Sequence, residues 1–171
     1  MCATPLDDWL EERMVNGFFA FSRPGQDRMI STWFLASEKG GYLVNRWRDA
    51  SCAYWLGRNA RNHYFWVHSL FAQVYEQDPK FRILWQETPQ ISAAHRFHFG
   101  PNSPELIGPE PDDLDAQLGA PSAPVFKLTH KFECLPGRGT LFERLCNFAE
   151  EGNTCTINPE YHDDTTYDLA V

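Results

Sequence analysis

A chain of 171 residues with a net charge of −8 and 43% hydrophobic residues is about one soluble domain's worth of protein. The acidic balance, with no basic stripe, argues against a nucleic-acid partner, because little is present to displace phosphate counterions. Five cysteines with no CxxC pair and no zinc spacing read as reduced thiols. No apolar run approaches the ~18 residues of a membrane span, so the expected location is the cytoplasm, with any membrane contact peripheral and at its inner face.

Residues 7–14 read as a short helix with Pro5 near its start. Residues 18–21, an aromatic run after Gly17, read as a buried strand, and Ser22-Arg23-Pro24-Gly25 as a turn. Asp27 is placed to cap a following helix in which Met29, Ile30, Trp33, Phe34 and Ser37 share a face, with Gly40-Gly41 ending it. Leu43, Val44, Trp47, Ala50, Tyr54 and Trp55 give a second helical face. After a polar loop over 57–63, residues 64–75 form a third helix that Asp78-Pro79 stops, and 81–85 suit one more turn. Residues 91–99 fit a strand running into a loop. The stretch 101–124, rich in Pro, Gly, Asp and Glu, reads as a long loop. Residues 125–132 alternate like a strand, 140–150 form a helix capped by Thr140, and 152–171 form a flexible tail. The high aromatic content, 15%, suits either a thick core or a saccharide groove.

Five segments carry a resemblance. Thr4-Pro5-Leu6-Asp7-Asp8-Trp9-Leu10, Gly17 through Pro24, Asp27 through Ala36, Tyr64 through Phe71, and Lys127-Leu128-Thr129-His130-Lys131 occur in the order and approximate spacing of the capsular polysaccharide synthesis proteins. That family is in turn similar to the family 32 sugar transferases. The resemblance implies an α/β fold: the helix-rich, C-terminal part of a GT-A-like nucleotide-sugar transferase domain, taken as a single domain over 1–171 and lacking the leading nucleotide-binding strands. It implies transfer of a hexose from a nucleotide-diphosphate sugar to a saccharide or lipid-linked acceptor. It also implies a divalent cation, Mn or Mg, held by an Asp-any-Asp motif that lies before Met1 in the expected alignment. The short chain is therefore expected to be inactive alone or dependent on a partner, with an exposed sheet edge available for self-association. A non-catalytic saccharide-binding or structural module is the alternative. Asp113-Leu114-Asp115 has the letters of the missing motif but sits in the acidic loop, not at the end of a buried strand.

The candidate site residues each carry two readings. Asp27 caps a helix or binds sugar hydroxyls. Arg28 is an exposed helix residue or a fork for a diphosphate. Ser31 belongs to the helix that, by resemblance, borders the donor sugar. Trp33 is core or stacking platform. Tyr64 and His68, four apart, share a helix face, and His68 is a core histidine or a hydrogen-bonding partner for phosphate or acceptor. By resemblance Lys127 reaches the diphosphate and His130 completes a cation shell. Strict strand alternation would point those two to opposite faces.

Overall fold

The computed structural model describes residues 1–94, 98–100, 103–118, 124–129, 131–133 and 136–152. It is a mixed α/β structure built around one antiparallel hairpin, β1 (Phe18–Gly25) and β2 (Arg28–Ser37). Residues 7–14 form two 3-10 turns, Leu6–Asp8 and Glu11–Arg13, instead of the expected helix.

The principal correction concerns residues 27–37, which form a strand and not a capped helix. Gly25 pairs with Arg28, so Gln26 and Asp27 are a two-residue hairpin loop. The expected turn at residues 22–25 is the end of β1. The strand is favoured by the β-branched Ile30 and Thr32 and the aromatic Trp33 and Phe34. Its apolar spacing imitates a helix because the ladder is broken. Ala20 pairs with Leu35 and Ser22 with Ile30, so two steps along β1 answer five along β2.

The hairpin is buried on both sides. Phe18, Ala20 and Ile30 face a layer made by α1 (Tyr42–Trp55), α2 (Trp66–Gln77) and α3 (Pro79–Glu87), where they meet Leu43, Trp47, Phe71, Val74, Phe81 and Trp85. Phe19 and Phe21 point the other way, onto Trp9, Ile91, Ala93 and Val125. The period of two in Phe18-Phe19-Ala20-Phe21 thus serves two cores at once, which explains an uninterrupted apolar run in so short a strand. Asp78 separates α2 from α3. Its side chain accepts from Lys80 N and Phe81 N, each at 3.1 Å, with Pro79 at the first helical position.

A further cluster gathers Phe99, Leu106, Leu114, Leu118, Phe126, Leu141 and Leu145. It is built by α4 (Pro104–Ile107), α5 (Leu114–Leu118) and α6 (Leu141–Gly152). The segment read as one long loop, 101–124, therefore contains two short helices. Thr140 does cap α6, its Oγ1 accepting from Glu143 N at 3.3 Å. Residues 125–129 make no regular strand among the described residues. They form single bridges, Val125 with Cys2 and Lys127 with His98. Met1 and Phe126 exchange two hydrogen bonds, 2.9 Å from the terminal ammonium to Phe126 O and 2.7 Å from Phe126 N to Met1 O. His130 and the tail beyond Gly152 lie outside the described residues. No helix among the described residues is long and apolar enough to cross a membrane.

Candidate functional site

The tight turn of the hairpin delivers Arg28 to the start of β2. Its Nε donates to Asp27 Oδ1 at 3.1 Å, and its guanidinium lies 4.1 Å from the ring centroid of Phe65, just before α2. These two contacts fix a fork that is otherwise free to swing. β2 continues with Ser31, Thr32 and Trp33, α2 contributes His68, and the bridge between His98 and Lys127 closes the far wall. Together they line a cavity of about 510 Å³.

Six of the eight residues singled out in the sequence therefore share this cavity: Arg28, Ser31, Trp33, Tyr64, His68 and Lys127. Asp27 does not line it. It stands behind Arg28 in the hairpin loop, and with Arg28 it borders a neighbouring cavity of about 680 Å³ that also takes in Tyr75, Gln86 and Gln90. Its role as a helix cap is overturned with the helix. Tyr64 precedes α2 and does not share a helical face with His68. Trp33 stacks on Phe21 at 4.6 Å between centroids, so one face of the indole is core while the residue still borders the cavity.

The electrostatics are lopsided. Arg28, which Asp27 pairs from outside the cavity, and Lys127 face one space, and no Asp or Glu is among the described residues lining it, although the chain as a whole has 23 acidic against 15 basic residues. Burial pulls the Lys127 ammonium below its usual range, and the charge on Arg28 pulls it further. Lys127 Nζ donates to Phe99 O at 3.1 Å. Burial first, then Arg28, lowers the His68 imidazole. The Asp27 carboxyl is lowered by its hydrogen bond from Arg28. Gathering like charges in a partly dry space is unfavourable unless something negative meets them.

Two polar atoms here are also unsatisfied. Ser31 is 2% exposed, and neither its Oγ nor His68 Nδ1 has a hydrogen-bond partner among the described residues. Buried polar groups without partners are uncommon in native folds, and each asks for an explanation. On its other nitrogen, His68 Nε2 lies 3.4 Å from Thr32 Oγ1.

Phe65 and His98 were not foreseen. His98 packs against Phe21 and Trp33 at 5.2 and 4.8 Å, with Nδ1 2.7 Å from Ala93 O and Nε2 3.1 Å from Val125 O. Two carbonyl partners suit the imidazolium, whereas burial favours the neutral ring, and burial prevails. The only sequence signal was a histidine alternating with aromatics in the 95–99 stretch.

His130, the expected cation ligand, lies outside the described residues. Among the described residues no group of three or more His, Cys, Asp or Glu is placed to hold a metal ion. Asp113 and Asp115 do not substitute for the Asp-any-Asp motif. Asp115 lies in the first turn of α5 and accepts from Arg144 at 3.1 Å, Asp113 accepts from Gln117 at 3.3 Å, and neither lines the cavity.

A family model described as capsular polysaccharide synthesis protein matches residues 1–145. No curated protein and no solved structure matches the chain.

Proposed function

The chain belongs to the family of capsular polysaccharide synthesis proteins, and on that premise we propose that its cavity holds the diphosphate of a nucleotide-sugar donor during hexose transfer to a saccharide or lipid-linked acceptor. The observation that carries the proposal is the placement of Arg28, Lys127, Ser31 and His68 around one space with no carboxylate among its described lining residues, where the buried Ser31 Oγ and His68 Nδ1 have no partner among the described residues. Such a set is complementary to phosphate oxygens: a planar fork, a point charge and two hydrogen-bonding groups. Trp33 and Tyr64 supply flat surfaces at the same cavity for the sugar or the base.

In the transfer the bond between the anomeric carbon and the phosphate oxygen breaks, and its electron pair leaves with the diphosphate. The new bond forms to an acceptor hydroxyl, whose proton passes to the departing diphosphate. Arg28 and Lys127 stabilise the charge that collects on the leaving group, the term that most often dominates such steps. The likeness to family 32 transferases and to a GT-A-like fold belongs to this proposal. So does the divalent cation, for which no group of three or more His, Cys, Asp or Glu is gathered among the described residues.

Isothermal titration with UDP, with and without manganese, tests it. The expected result is binding that Arg28→Ala weakens at least about tenfold, from the loss of a charge-assisted contact. Absence of binding by a folded sample under both conditions overturns the assignment of the cavity. Saccharide binding without nucleotide binding would instead support a non-catalytic module.

A further inference from the structure

The end of the molecule where α1 meets α2 differs in character from the rest. No Asp or Glu stands between Asp49 and Glu76, in a chain that is otherwise acid-rich. The connecting residues 56–65 carry Arg58, Arg61 and His63, all exposed. Large apolar and amphipathic side chains project beside them: Leu56 is 80% exposed, Tyr64 69% and Trp55 38%. The neighbouring carboxylates Asp49 and Asp78 are already held by Arg48 and Arg46, at 2.8 and 3.0 Å. No ion pair among the described residues involves Arg58 or Arg61. Instead each guanidinium lies over a tyrosine ring, Arg58 over Tyr54 at 4.7 Å and Arg61 over Tyr64 at 5.2 Å.

This tip is also braced. Tyr54 stacks on Trp66 at 4.9 Å, Trp55 meets Trp66 edge-on at 5.2 Å, and the Tyr54 hydroxyl donates to Asn62 Oδ1 at 2.6 Å while accepting from Asn62 N at 2.8 Å. Gly57, at φ +72°, makes the turn that leaves Leu56 outermost. The result is a braced knob with Leu56 at its crest, Tyr and Trp rings beside it, and two arginines that make no ion pair among the described residues.

We propose that the 55–65 tip docks on an anionic lipid bilayer, with Leu56 in the acyl boundary, Trp55 and Tyr64 at the interface, and Arg58 and Arg61 on lipid phosphates. Tryptophan and tyrosine favour that depth, and basic residues near an anionic leaflet add attraction that salt weakens. A nucleic-acid partner fits less well, because two arginines and an exposed leucine on an acidic chain give a small counterion term and waste the apolar crest. Tyr64 also lines the cavity with Arg28. Docking therefore sets the cavity mouth beside the headgroups, where a lipid-linked acceptor presents its sugar. That last consequence rests on the transferase reading; the docking does not.

Co-sedimentation with vesicles, read with no nucleotide or sugar present, tests the docking separately from the reaction. The chain is expected to pellet with equimolar phosphatidylcholine and phosphatidylglycerol, to stay in solution with phosphatidylcholine alone, and to be released by high salt. Arg58→Glu with Arg61→Glu is expected to lower partitioning by about thirtyfold or more, at roughly fivefold for each basic residue lost near the surface. Leu56→Asp is expected to lower it as well, with circular dichroism and melting temperature unchanged because all three side chains face solvent. Failure of the folded chain to pellet with the anionic vesicles overturns the proposal, as does equal pelleting of the variants. Capture by single-stranded RNA in place of vesicles, or self-association abolished by Leu56→Asp without lipid binding, overturns it too. Should a variant misfold, the lipid and salt dependence of the unaltered chain decides.

Discussion

Asp78 is the side chain whose loss tests the helical layer most directly. Its Oδ1 accepts from the backbone of Lys80 and Phe81 at 3.1 Å, and its Oδ2 from the Tyr42 hydroxyl at 2.8 Å and Arg46 Nε at 3.0 Å. One carboxylate thus caps α3 and pins α1 to the junction of α2 and α3. Burial alone would raise its pKa, but the hydrogen bonds from Phe81 N, Tyr42 and Arg46 outweigh it and hold the group at about 2, against 3.8 in a free chain. Replacing an N-cap costs about 1 kcal/mol, and the Tyr42 and Arg46 contacts bring the cost of Asp78→Ala to about 2 kcal/mol. The Arg46 contribution stays small because that side chain is 47% exposed and its pairing is screened. A loss of that size lowers the melting temperature of a chain this long by roughly 4–8 °C. Asp78→Asn keeps a cap acceptor and is expected to cost about half as much. The pH dependence has a definite sign. A carboxyl whose folded pKa is depressed stabilises fully above its unfolded value, and the contribution fades as pH falls from about 3.8 through about 2. Thermal unfolding of the unaltered chain and of Asp78→Ala at pH 7 and at pH 2.5 measures both effects. A difference at pH 7 below about 0.5 kcal/mol, or one that does not shrink in acid, would falsify this account of the junction.

Other outcomes concern the cavity. Arg28→Lys is expected to restore only part of the UDP affinity lost in Arg28→Ala, because lysine keeps the charge but loses the fork and the stacking over Phe65; equal affinities for lysine and arginine would remove the fork from the argument. Ser31→Ala deletes a buried hydroxyl that has no partner among the described residues, so it is expected to leave the melting temperature unchanged or slightly raised while weakening nucleotide binding. A destabilised Ser31→Ala would mean that the hydroxyl serves the fold. Burial, then Arg28, depresses His68 below its usual 6.5. The unfolded chain therefore takes up the proton first, and stability should fall as pH drops below about 6.5. His68→Gln should flatten that slope between pH 7 and 5, and an unchanged slope in a set of melting curves would count against the assignment.

Helices α1 and α2 were legible because their apolar residues repeat at helical spacing and their ends carry Gly, Asp and Pro; α3, read only as one more turn over 81–85, runs from Pro79 to Glu87 because Asp78 caps it as well as ending α2. The second hairpin strand was not legible. Met29-Ile30 and Trp33-Phe34 fall as two apolar pairs four apart, the signature of a helix face, and only the irregular ladder with β1 reveals why a strand bears them. Residue type led to Arg28 and His68, a fork and an imidazole suited to phosphate, whereas Ser31 and Lys127 came from the family resemblance. That they share a cavity depends on the two-residue hairpin loop and on the bridge between His98 and Lys127. The partners of that bridge are far apart in sequence, and no local pattern encodes their pairing. Phe65 was hidden for the same reason, because its function as a support for Arg28 exists only once the hairpin lies against α2.

The paired hydrogen bonds between Met1 and Phe126 join residues 125 positions apart, immediately beside Lys127. Closing so long a loop is costly in entropy and comes late, after local pieces such as the hairpin and the α2–α3 corner have formed. On that order the wall that carries Lys127, which His98 also holds through a bridge, is expected to assemble after the hairpin and the α2–α3 corner. Binding of an anion there acts as a latch: it stabilises the closed chain by mass action, and amide exchange at Phe126 should slow with ligand in proportion to occupancy. If exchange at Phe126 is indifferent to saturating UDP while nucleotide binding is measurable, the late-closing segment and the site are independent.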